Sequence, residues 1–149
     1  MSESSDRDAS LPTAAVQSLE MTPQAATALV ALATSLGLEA IRVDLTGCED
    51  KAGLLERIAA ALGFPDWFGD NWDALRDCLT DLTWRKARGY IIVLERCEAF
   101  AQAARGDFET ALELFRLVAD DWRESHVPFW VLIGGTAAEE FGLPDLVQV

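Results

Sequence analysis

Apolar and polar positions change period several times along the chain, and each change marks a predicted element. The run PQAATALVALATSL at 23–36 is rich in alanine and leucine. Thr22 is placed as an N-cap, Pro23 at the first helical position and Gly37 as a stop, so a helix is predicted there. Residues 39–45, EAIRVDL, alternate with the period of two of a strand, while CEDKAGLLERIAAALG at 48–63 reads as an amphipathic helix closed by Gly63. GYIIVLE at 89–95 and VPFWVLIGG at 127–135 are continuous apolar runs, as suits strands buried on both faces. Between them GDFETALELFRLVADDWRES has helical periodicity, and the closing TAAEEFGLPDLVQV is expected to form a short helix and an extended end.

With a further helix at 71–82, the order is helix, strand, helix, helix, strand, helix, strand. In one small domain this order implies an α/β fold with a parallel sheet and right-handed helical crossovers. Residues 1–22 mix Ser, Asp, Glu and Thr with scattered apolar residues and no period, so they are expected to be a flexible tail. Residues 23–149 are expected to form a single domain without internal repeats.

Composition narrows the class. At 149 residues, half of them hydrophobic, the chain is long enough to bury a core. Its formal charge of -13 repels nucleic acid phosphates and anionic lipid and favours a positively charged partner. The start MSESSDRDASLPTAAV has no signal-peptide core, and no later stretch reaches the length of a membrane span, so a cytoplasmic protein is expected. Cys48, Cys78 and Cys97 are an odd number without C-x-x-C spacing, which argues against a disulfide framework or a zinc site and for reduced, structural thiols.

The position of the acidic residues matters more than their number. FPDWFGDNWDALRDCLTDL at 64–82 holds Asp66, Asp70, Asp73, Asp77 and Asp81. On a helix over 71–82, Asp70, Asp73, Asp77 and Asp81 fall on one narrow stripe, with Leu75, Cys78, Leu79 and Leu82 nearly opposite. Like charges at these spacings cost a few tenths of a kcal/mol per pair. Asp70 or Asn71 as a cap, and Asp73 beside the helix dipole, account for part of the stripe. Asp77 and Asp81 lie toward the end where the dipole penalises negative charge, so they point either to a solvated face or to a docking surface for cations. Before the helix, Pro65 and Gly69 surround Trp67 and Phe68. One of these aromatics is expected to pack inward and the other to stand beside the aspartates.

LGFPDWFGDNWDALRDCLTDL, followed by the IIVLE strand, LELFR in a helix and a closing apolar strand, resembles the barstar family, intracellular inhibitors of the ribonuclease barnase. The resemblance is strongest over residues 39–134 and leaves the helix at 23–37 and the C-terminal stretch as extensions. It implies a small three-stranded parallel sheet packed with helices, with a helix and its preceding loop plugging a basic nuclease site. By position, Asp77 matches the aspartate that occupies the phosphate-binding site, Asp73 its neighbouring contact and Trp67 a tyrosine that stacks on the nuclease. Gly69, Asn71 and Thr80 match further contacts. Arg76 stands where the family pattern has tryptophan, and either Asp73 or the Trp72 ring is expected to hold it. Leu82 also replaces a tryptophan, and Leu117 replaces a contact glutamate, with Asp121 one turn on as a nearby charge.

The resulting expectation is a one-to-one inhibitor of a barnase-like ribonuclease, monomeric when free, whose partner-binding residues are Trp67, Gly69, Asn71, Asp73, Arg76, Asp77 and Thr80. Neither a catalytic residue nor a cofactor or metal is implied. One alternative keeps the fold and makes the protein an immunity or regulatory module for a different basic toxin or protein. A second makes the aspartates metal ligands of a hydrolase, for which the sequence offers no P-loop, H-E-x-x-H or serine elbow. The sole histidine, His126, lies between a charged helix end and a buried strand and is read as structural.

Overall fold

A computed structural model describes residues 14–18, 22–65, 69, 71–82 and 86–135. The elements are β1 (Ala14–Ser18), α1 (Pro23–Ser35), β2 (Glu39–Asp44), α2 (Lys51–Leu62), α3 (Trp72–Asp81), β3 (Tyr90–Glu95), α4 (Glu98–Ala103), α5 (Arg105–Glu124) and β4 (Phe129–Ile133). The strands form one sheet in the order β1-β4-β3-β2, and every pairing is parallel.

Local signals set most boundaries. Thr22 caps α1 by accepting the Ala25 N–H at 3.1 Å, and Asp50 caps α2 by accepting that of Gly53 at 2.8 Å, so α2 begins three residues later than its apolar pattern suggested. Gly63, at φ 68°, ends α2 in the left-handed conformation.

The register explains the two-sided burial of the sheet. Ile41, Ile92 and Val131 lie side by side, as do Val43, Leu94 and Ile133, and all six face the main core built with α2, α3 and α5. Val93 and Leu132 are equally buried but point to the other face. The chain crosses the sheet one way from β2 through β3 to β4, whereas the β1-to-β2 connection runs back. Right-handed crossovers then place α1 on the face opposite α2–α5. Arg42, on that second face, donates from Nη1 to Thr27 Oγ1 of α1 at 3.2 Å.

The three strands expected from the sequence are all present, but they are not the whole sheet. Ala14–Ser18, within the segment expected to be a flexible tail, pairs with β4 from Ala14 opposite Phe129 to Ser18 opposite Ile133. The short AAVQS lacks a strand pattern of its own. The unpaired edge of β4 supplies the hydrogen-bonding template, so the tertiary fold decides this element. Helix α4 was not foreseen either, being too short for a readable period and lacking a side-chain cap. No helix among the described residues is long and apolar enough to cross a membrane.

Candidate protein-binding face

Helix α3 starts where Asn71 Oδ1 accepts the Ala74 N–H at 2.8 Å, so of the two candidate caps Asn71 takes the role. Its Nδ2 donates to the Gly69 carbonyl at 3.1 Å and ties the preceding turn to the helix. A Cβ at Gly69 would lie 3.3 Å from this Nδ2, so the turn has little room for a larger residue.

Leu75, Cys78 and Leu79 are fully buried, and Leu82 closes the helix at φ 47° with its side chain in the core. Asp73, Asp77 and Asp81 are exposed on the other side. The fold thus presents three aspartates of the stripe that the spacing predicted, while Asp70 lies outside the described residues. Burial, together with the Asp77 and Asp81 carboxylates, pushes the Cys78 thiol above its ordinary pKa.

The neighbouring helix α5 completes the face. Trp122 Nε1 donates to the Leu79 carbonyl at 2.9 Å, and the Trp122 ring stacks on Phe129 with centroids 5.9 Å apart. This brings Asp121 Oδ2 to 3.5 Å from the Arg76 guanidinium, with the side chains 46% and 45% exposed. Arg76 was expected to be held by Asp73 or by the Trp72 ring, and the structure corrects both. Its carboxylate partner comes from α5, which periodicity within α3 cannot reveal, and the Trp72 ring instead carries Lys51 Nζ at 5.3 Å from its centroid.

Of the other candidate residues, Gly69 and Asn71 are exposed beside the acidic stripe and Thr80 is half-buried. Thr80 Oγ1 donates back to the Arg76 carbonyl at 2.8 Å, so it can offer a partner only acceptor capacity. Trp67, with Asp66, Phe68 and Asp70, lies outside the described residues. Leu117, 38% exposed on α5, stands one turn before Asp121. Among the described residues, no group of three or more His, Cys, Asp or Glu could hold a metal ion. His126 is exposed at φ 61° and ends α5, with its N–H bonded to the Arg123 carbonyl at 3.0 Å.

A feature that the sequence did not disclose is a cleft of about 650 Å³ at the carboxyl ends of β2, β3 and β4. Four of its charged groups form two ion pairs. Arg42 binds both oxygens of Glu95 at 2.6 and 3.0 Å, and Arg96 lies 3.9 Å from Glu98. Asp44 accepts from the Thr46 hydroxyl at 2.6 Å and the Thr46 N–H at 2.9 Å, and these bonds lower its pKa.

Comparison with solved structures supports the fold alone. The ORC2 protein of Aeropyrum pernix in its ADP form is 14% identical with a TM-score of 0.58, the match covering 85% of this chain and 36% of that one. Drosophila ORC bound to DNA is also 14% identical, with a TM-score of 0.54 and coverage of 87% and 34%. The chain therefore spans about a third of the length of these structures. A search of curated proteins returns no match. The family model described as "Barstar (barnase inhibitor)" matches residues 38–134, from just before β2 to just after β4 and including all of α3. The chain belongs to the barstar family.

Proposed function

We propose that the protein is a reversible one-to-one inhibitor of a barnase-like ribonuclease, acting as a cytoplasmic monomer. In this reading the turn at Trp67–Asn71 and the exposed face of α3 block the enzyme's cationic active site. One observation carries it: within an inhibitor family, α3 presents Asp73 and Asp77 to solvent, opposite a fully buried Leu75–Cys78–Leu79 face.

The mechanism is electrostatic mimicry. Asp77 takes the place of a substrate phosphate and Asp73 supports it, while arginine, lysine or histidine side chains of the nuclease neutralise both through charge-assisted hydrogen bonds. The net charge of -13 steers a basic partner toward the protein and opposes contact with the nucleic acid itself. The likeness to the ORC proteins brings no DNA or nucleotide activity with it, since it is one of fold. Trp67 would stack on the rim of the enzyme, with Gly69, Asn71 and Thr80 filling in around it.

A second reading, immunity to a different basic toxin, is favoured by Arg76, a cation standing where the family pattern has tryptophan. Titration calorimetry against a panel of barnase-like microbial ribonucleases, with RNA cleavage followed in parallel, separates the two. One-to-one binding that abolishes cleavage supports the inhibitor, and absence of binding across the panel overturns it in favour of the second reading.

A further inference from the structure

We propose that Arg76 is a selectivity residue of this face: it disfavours a wholly basic cleft and fits a partner that places a carboxylate at the rim of its cationic site. The inference rests on the inhibitor reading and specifies the partner further.

Arg76 is the only cation of α3, and it is exposed between Asp73 and Asp77 on the side of the stripe toward α5. Its single contact with Asp121 is long for a charge-assisted bond and nearly half exposed at both ends. Exposed pairs of this kind add about 0–1 kcal/mol, so the fold has little use for Arg76 as a cation and the pair opens easily. A wholly basic cleft closing over Asp77 would bring like charge against Arg76. A partner carboxylate would instead take Arg76 from Asp121 and leave Asp121 free to accept a partner cation. Leu117, one turn before Asp121, offers an apolar contact beside this exchange.

The test uses the full chain with barnase as the probe. Affinity and association rate are measured for the wild type, Asp77→Asn, Arg76→Gln and Arg105→Gln. Arg105 lies at the far end of α5, about 24 Å along the helix from Asp121, so Arg105→Gln makes the same change in net charge away from the face. Arg76→Gln is expected to bind about tenfold more tightly than the wild type, the gain arising mainly in association, whereas Arg105→Gln stays within about twofold. A barnase variant carrying glutamate in place of a rim lysine should cost Arg76→Gln more affinity than it costs the wild type. The inference is overturned if wild-type binding is lost in Asp77→Asn yet unchanged in Arg76→Gln, or if Arg105→Gln gains as much as Arg76→Gln. If neither the wild type nor any variant binds barnase or any other ribonuclease of the panel, the inhibitor reading falls together with it.

Discussion

The indole N–H of Trp122 on α5 donates to the main-chain carbonyl of Leu79 on α3 at 2.9 Å. Leu79 lies in the last turn of its helix, where carbonyls have no intrahelical partner. This bond therefore gives a partner to an end-of-helix acceptor where Asp77 and Asp81 are least favourable for the helix dipole, and it sets α3 against α5. Trp122→Phe keeps an aromatic against Tyr90 and Phe129 but leaves the carbonyl unpaired. A loss of about 1–2 kcal/mol in urea denaturation is expected, and an unchanged midpoint would refute the role.

Asp77→Ala separates binding from folding. The Asp77 side chain is exposed opposite the core, so the denaturation midpoint should move by no more than about 0.5 kcal/mol. If the carboxylate is buried against a cation in the complex, its removal strands that cation and costs about 3–5 kcal/mol of affinity by calorimetry. Raising the ionic strength should slow association of the wild type more than it speeds dissociation.

His126 occupies a position that favours glycine. Its φ of 61°, its N–H to the Arg123 carbonyl and the Val127 N–H to the Trp122 carbonyl at 3.1 Å form the left-handed closure of α5. The side chain is exposed, so His126→Gly relieves strain without opening a cavity. A gain of about 1 kcal/mol in thermal or urea unfolding is expected, and a loss would mean that the imidazole has a structural contact worth more than the strain.

The three thiols should not react with an aromatic disulfide reagent until the chain unfolds, since Cys48, Cys78 and Cys97 are all free and buried. Burial pushes Cys97 from 9.0 up to about 12. A folded-state pKa above the unfolded one means that the unfolded chain releases its proton first. The stabilising contribution is therefore complete below pH 9 and lost progressively as pH rises toward 12. Cys97→Ala should flatten the alkaline limb of a stability-versus-pH curve, and an identical limb in the mutant would assign the effect to other groups.

The sequence by itself determined the elements whose signals are local. Thr22 and Gly63 sit at helix ends because their side chain or backbone freedom meets a need within one turn, and the same reasoning narrowed the α3 cap to Asp70 or Asn71. The apolar runs of β3 and β4 declared strands buried on both faces, and the period of α3 separated the Leu75–Cys78–Leu79 face from its aspartates before any neighbour was known. The tertiary structure alone decided the rest. Strand β1 exists through the free edge of β4, Arg76 finds Asp121 across 45 positions of sequence, and Asp44, Glu95 and Arg42 meet at a cleft only where parallel strands end together. Hydrophobic periodicity is written along one segment and can be read there, whereas pairing of polar groups and strand edges depends on which segments the core brings side by side.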